Sequence, residues 1–229
     1  MTTVDRPLGL GELLAETIRL YSSRFWAALA LGAVVAGTFL VVGVTPWGID
    51  AVLLSLSLTC SLGAAARITT GDSVGEAWAQ VAVRLPILLL LTVVVSLPFV
   101  LSVLSYLELV LFGAAWIGLT GFAIPVCMLE SEAAAGDRFR RLAYVLDRTI
   151  ALARAELVHA IGVAAALILV YALAVFALAV ALGGVAETTG PPAALLIHLV
   201  VAPLFLLGLT VLYFEQKARA VSSPRRRKT

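Results

Sequence analysis

From Leu157 to Val185 the chain reads LVHAIGVAAALILVYALAVFALAVALGGV, 29 positions without one Asp, Glu, Lys or Arg. A helix crosses the ~30 Å hydrocarbon core of a bilayer with about 20 such residues, so this stretch can span it and still tilt. Five more stretches are built alike: Phe25–Val44, Ile49–Ala66, Leu85–Tyr106, Leu109–Leu129 and Ala193–Phe214. Only Thr45–Gly48, Leu107–Glu108 and Ala186–Pro192 separate the members of consecutive pairs, so each pair is expected to fold as an antiparallel helical hairpin.

Composition agrees with six spans. Of the 229 residues, 62% are hydrophobic and 13% charged, against the usual ~45–50% and ~25%. A water-soluble domain of this size could not cover that much apolar surface. A soluble enzyme, a nucleic-acid-binding module and a disordered chain are excluded on that ground.

The charges supply orientation. All sixteen Lys and Arg residues fall before the first span, between the second and third, between the fourth and fifth, or after the sixth. The three alternate connections carry only Asp50, Glu108 and Glu187. By the positive-inside rule, both termini and the two longer loops are expected in the cytoplasm. The net charge of +2 then divides into +5 inside and −3 outside. Fourteen of the sixteen basic residues are Arg, a bias that fits a GC-rich bacterial genome and an inner-membrane location. The first 24 residues mix acids and bases with no apolar run and cleavage site, so no cleaved signal peptide is expected.

Amphipathic segments precede the hairpins. In the first, Leu10, Leu13, Leu14, Ile18 and Tyr21 share one helical face. In the second, Ser73 and Glu76 have capping-box spacing, and Val74, Trp78, Val81 and Leu85 recur opposite the row Glu76, Gln80 and Arg84. In the third, Phe139, Leu142, Leu146, Ile150 and Ala153 align, with Asp137 and Arg141 placed to pair. These read as interfacial helices. The expected fold is an all-α integral membrane domain over residues 1–229: six transmembrane helices as three hairpins, each preceded by an amphipathic interfacial helix. A basic cytoplasmic tail follows at 215–229.

The spans hold little chemistry. None has a charge at its middle, where one would mark a functional site, and GxSxG, HExxH and GxxxxGK[ST] motifs are absent. No catalytic residue, cofactor or metal ligand is expected. His198, in the outer part of the sixth span, is read as a neutral interhelical contact, with a ligand or proton group as the alternative. Ser55, Ser57, Thr59 and Ser61 are expected to bond to backbone carbonyls or neighbouring helices. Cys60 and Cys127 show no CxxC spacing and are read as packing residues. The small-residue rows Ala28, Gly32, Ala36 and Gly162, Ala166 allow close helix approach. Pro98, Pro125 and Pro203 should kink their spans.

Candidate interfacial residues are Arg138, Arg140, Arg141, Arg225, Arg226, Arg227 and Lys228 for anionic lipid headgroups. Trp26 and Trp78 are candidate interface anchors. Nucleic acid is not an expected partner.

Three stretches resemble the bacterial glycerophosphoryl diester phosphodiesterase membrane-domain family. They are Leu10-Gly11-Glu12-Leu13-Leu14 with Ile18-Arg19-Leu20-Tyr21 and Arg24-Phe25-Trp26; Ile124-Pro125-Val126 with Leu129-Glu130; and Tyr213-Phe214-Glu215-Gln216-Lys217-Ala218-Arg219. The family takes its name from members fused to a catalytic barrel. Only 15 residues follow Phe214 here, so the resemblance covers the membrane region and transfers no catalytic residue. The expected function is that of a non-catalytic inner-membrane protein, a scaffold or accessory subunit binding lipid or partner proteins. The alternative is a transporter or channel component for a small apolar or lipid-like substrate.

Overall fold

Gly9 opens the first helix: its N–H donates to Glu12 Oε2 at 3.0 Å, and Arg6 steadies the same carboxylate at 2.8 Å. In this computed structural model the described residues are 6–41, 46–105, 109–130, 138–183 and 190–222. The helices are α1 (Leu10–Ser23), α2 (Phe25–Phe39), α3 (Trp47–Thr70), α4 (Val74–Leu91), α5 (Leu97–Ser105), α6 (Leu109–Thr120), α7 (Ala123–Leu129), α8 (Arg138–Ala153), α9 (Leu157–Gly183) and α10 (Gly190–Ser222). A π-helical turn, Thr92–Ser96, joins α4 to α5. Among the described residues there is no strand. Five helices or continuous helical runs are long and apolar enough to cross a membrane, and six if α1 and α2 count as one broken crossing.

The first span is the one that shortens. α2 covers 15 residues, about 22 Å at 1.5 Å per residue. It leaves α1 at a bend of 97°. At that corner Arg24 donates to the Ile68 carbonyl at 2.8 Å, the same carbonyl at the end of α3 that accepts the Gly71 N–H at 3.1 Å. Gly71, at φ +120, then turns the chain out of α3.

The second amphipathic stretch does not form a helix of its own. The capping box does form, with Glu76 N–H donating to Ser73 Oγ and Ser73 N–H to Glu76 Oε2. From there α4 runs through Pro86 into the π-turn and α5. The second amphipathic stretch and the apolar stretch after it are thus one continuous rod. No turn residue separates them, and a polar face over three turns cannot by itself break a helix.

The prolines act locally. Pro98 lies just after the π-turn and has no N–H for the Val94 carbonyl four residues back; Trp116 Nε1 on α6 donates to that carbonyl instead, at 3.1 Å. The fourth span breaks at Gly121–Phe122, so that Pro125 falls in the first turn of α7, where no helical donor is needed. Pro203 sits inside α10 and frees the Leu199 carbonyl. A Cβ at Gly32 would overlap that carbonyl, so the Gly32 backbone lies close against α10. Pro191 and Pro192 fall in the opening turn of α10, where proline is well tolerated.

α10 is the hub, packing on α1, α2, α3, α8 and α9. The pairs α2–α3, α5–α6 and α9–α10 also pack together. Between lipid-embedded helices, association rests on close packing more than on expulsion of water, so small residues at crossings matter. Gly32 serves the α2–α10 crossing. Gly118 serves α6–α9, where a Cβ would come 2.9 Å from Ile161 Cα. Gly162, expected in such a crossing, instead faces open space, with nothing within 4 Å of its would-be Cβ. α9 is peripheral: 17% of its apolar window is buried, against 67% for α10.

Two expected faces turn out differently. α1 buries Leu13, Thr17 and Leu20, leaving Leu10 and Ile18 outward. α8 buries Val145, Thr149 and Leu152, leaving Phe139 and Ile150 outward. Each apolar arc is wider than the single ridge the bundle takes. α10 also continues to Ser222, so the first eight residues of the expected tail are helical.

Candidate functional site

The charged residues of α10 gather partners from four other segments at the basic end of the bundle. Glu130, just past α7, accepts Tyr213 Oη at 2.6 Å, Lys217 Nζ at 2.8 Å and Arg148 Nε at 2.8 Å. Burial by itself raises the Glu130 carboxyl. Hydrogen bonds from Lys217, Tyr213 and Arg148, with the Lys217 charge, outweigh that and hold it at about 2. It is therefore ionised at neutral pH with its oxygens occupied. Such a group makes neither a general acid nor an available base.

Two turns along α10, Arg219 is held by Glu215 and Glu156 and donates to the Leu8 carbonyl at 2.8 Å. Glu215 is fully buried. His159 Nε2 lies 3.5 Å from Glu215 and 3.4 Å from Arg219 Nη2. Through one side chain, α10 ties the segment before α1 to the start of α9. Together the two clusters clasp α10 to α7, α8, α9 and the N-terminal segment. A third tie, Arg67 to Asp72 at 2.7 Å, fastens the turn after α3.

The opposite half of the bundle holds His198. Its ring stacks on Phe39 with centroids 3.7 Å apart and planes 4° apart. Its Nδ1 is 2.7 Å from the Tyr171 hydroxyl on α9. Tyr171 and then Phe99 continue the contact through Phe205. His198 thus sits at an aromatic junction of α2, α9 and α10. Sequence reading found no partner for it because Tyr171 lies 27 residues upstream on another helix.

The hydroxyls of the second span divide. Ser55 donates to the Ala51 carbonyl at 2.6 Å and Thr59 to that of Ser55 at 2.9 Å. Thr59 also meets Ser96 at 2.7 Å and accepts from Thr92 at 3.1 Å, both in the π-turn. Ser57 and Ser61 are buried with no hydrogen-bond partner among the described residues.

Of the interfacial candidates, Arg140 and Arg141 stand exposed on α8, and Arg138 begins that helix. Arg225, Arg226, Arg227, Lys228 and Asp137 lie outside the described residues. Trp26 is 81% exposed at the start of α2, whereas Trp78 packs partly into the core. Cys60 and Cys127 are free thiols, the second buried. Among the described residues, no group of three His, Cys, Asp or Glu is placed to hold a metal ion.

Missing from the candidate residues were Glu130, Arg148, Tyr213, Lys217, Glu156, Glu215 and Arg219. Tyr213 and Glu130 are 83 residues apart, and no spacing pairs them. The one signal was that Leu129-Glu130 and Tyr213–Arg219 both carried the family resemblance; in the structure these stretches meet. Comparison with protein-family models, curated proteins and solved structures returns no match to this chain.

Proposed function

We propose that this chain is a non-catalytic, multi-pass scaffold or accessory subunit of a bacterial inner membrane, with a basic cytoplasmic face that engages anionic lipid or a partner protein. The observation that carries this is the clasp. Glu130, Arg148, Lys217, Glu215, Arg219 and Glu156 are spent on one another. They brace the basic end of α10, with Glu130, Arg148 and Glu156 outside the candidate crossings. Around that braced base, α1 and α8 show outward apolar residues beside exposed Arg140 and Arg141, the pairing an interfacial helix offers to acyl chains and headgroups.

Six crossings fit this reading. α2 begins beside Ile68 through Arg24 and ends beside His198 through Phe39. His198 is 21 residues from Arg219 on α10, about 31 Å by helical rise. α2 therefore runs from the basic end to the other half of the bundle despite its 15 residues, which fits an even number of crossings. The resemblance to the phosphodiesterase membrane-domain family supports the same architecture.

The test is reconstitution of the full chain in vesicles of mixed phosphatidylglycerol and phosphatidylcholine, with the spin-labelled lipid immobilised beside the protein as readout. Phosphatidylglycerol should be enriched, and changing Arg140, Arg141, Arg225, Arg226, Arg227 and Lys228 to Gln should remove the enrichment. Unchanged enrichment in that variant contradicts the basic-face reading, and turnover of any substrate by the purified chain contradicts the non-catalytic one.

A second reading, passage of a small apolar or lipid-like substrate, draws on the unpartnered Ser57 and Ser61 and on the π-turn beside them in the bundle. Flux in the same vesicles, lost on changing both serines to Ala, would favour it.

A further inference from the structure

A groove of about 460 Å³ opens beside the broken fourth span. This lies within the ~300–1,000 Å³ of typical small-molecule sites. Its walls are Val94 and Val95 of the π-turn, Leu119 near the end of α6, and Leu146 and Ile150 of α8. The break between α6 and α7 and the bulge of the π-turn both border it.

Its polar lining is nearly all spent. Thr120 donates to the Trp116 carbonyl at 2.8 Å and Thr149 to that of Val145 at 2.7 Å. The exception is Arg154, in the turn between α8 and α9. It lines the groove, is exposed, and has no ion pair or side-chain hydrogen bond among the described residues. Arg67, Arg148 and Arg219 at the same end contrast with it, each holding a carboxylate.

Depth narrows the occupant. Arg154 lies three residues before Leu157, where the candidate crossing α9 begins, and the membrane reading sets it at headgroup level. Val94 is nine residues beyond Leu85 on one continuous helical rod, about 13 Å deeper. That is close to the ~15 Å of one leaflet's hydrocarbon. The groove therefore offers an apolar wall about one leaflet deep with, among the described residues, one unpaired cation at its mouth.

We propose that the groove holds one acyl chain of an anionic phospholipid, with Arg154 on its phosphate. The inference rests on the membrane reading proposed above but not on the basic tail or on Arg140 and Arg141. The site is matched by charge, because a lone guanidinium over an apolar slot leaves an anionic headgroup as its complement. It is matched by length, because the slot ends near the bilayer midplane.

The experiment is native mass spectrometry of the purified full chain after exchange from micelles containing equal phosphatidylglycerol and phosphatidylcholine. The intact protein should retain one phospholipid, with phosphatidylglycerol favoured about fivefold, the effect of one basic residue near a membrane surface. Arg154→Gln should abolish the preference and keep the lipid. Ile150→Trp should fill the slot and remove retention of both lipids, with the thermal midpoint unchanged. Leu119→Trp, on the opposite wall, should do the same and serves if Ile150→Trp does not fold. Changing Arg225, Arg226, Arg227 and Lys228 to Gln should leave retention intact. No retained lipid in the intact chain, or equal retention in all variants, overturns the groove. Loss in the tail variant alone also overturns it, while leaving the basic-face function standing.

Discussion

The indole N–H of Trp116 donates to the Val94 carbonyl at 3.1 Å, the same carbonyl that Pro98 leaves without its α-helical donor. A helix interruption in one span is thereby repaired by a side chain from the next. In lipid, where water cannot reach the freed acceptor, that repair is a condition for keeping the proline.

Trp116→Phe should therefore destabilise the fold by about 0.5–2 kcal/mol, the range for interhelical hydrogen bonds in membranes and for buried acceptors left unpaired. Pro98→Ala restores a backbone donor, so Trp116→Phe should cost less in that background. Thermal unfolding in detergent of the two single variants and the double variant measures the coupling. Strict additivity would show that the two residues do not share the carbonyl.

The Glu130 cluster sets a pH dependence. Its carboxyl falls from the usual 4.5 to about 2 in the fold. A lowered folded value stabilises above the unfolded value, and that contribution fades as pH drops through about 4.5 toward about 2. With a side chain 11% exposed, the contribution at neutral pH is roughly 3 kcal/mol. Glu130→Gln should be destabilised at pH 7, and its deficit against the parent should shrink between pH 5 and pH 2. A deficit constant over that window would mean that the ion pairs do not act through Glu130.

Close packing gives a paired contrast. Gly32→Ala puts a methyl into the Leu199 carbonyl and should cost about 1–3 kcal/mol, as overpacking does. Gly162→Ala meets nothing within 4 Å and should be neutral or stabilising by up to about 1 kcal/mol through helix propensity. Both are read from denaturant titrations in mixed micelles. Equal effects would place the crossing elsewhere on α2.

What was legible in the sequence was what depends on local runs of residues. The apolar stretches locate the helices α2, α3, α5–α7, α9 and α10, and the capping box at Ser73 forms as its spacing indicates. Other features needed distant partners. The row Glu76, Gln80 and Arg84 marks a polar face, but amphipathicity is the same whether a helix stops or continues, so the rod from α4 into α5 was hidden. The buried ridge of α8 is chosen by α6, α7 and α10, which is why Val145, Thr149 and Leu152 turn inward and Ile150 does not. The clasp joins Glu130 to Tyr213 and Lys217, and Arg219 to Leu8, across most of the chain. Ion pairs of that separation leave no period to read.

An even number of crossings would put every basic segment on the cytoplasmic side. Single cysteines can be introduced at Ser22, Ser73 and Ser222, and at Gly48 and Glu187, in a chain with Cys60 and Cys127 changed to Ala. A membrane-impermeant maleimide is then applied to spheroplasts before and after lysis. Gly48→Cys and Glu187→Cys should label in intact spheroplasts, and the three serine positions only after lysis. Labelling of Ser222→Cys from outside while Ser22→Cys stays protected would mean an odd number of crossings and would contradict the account.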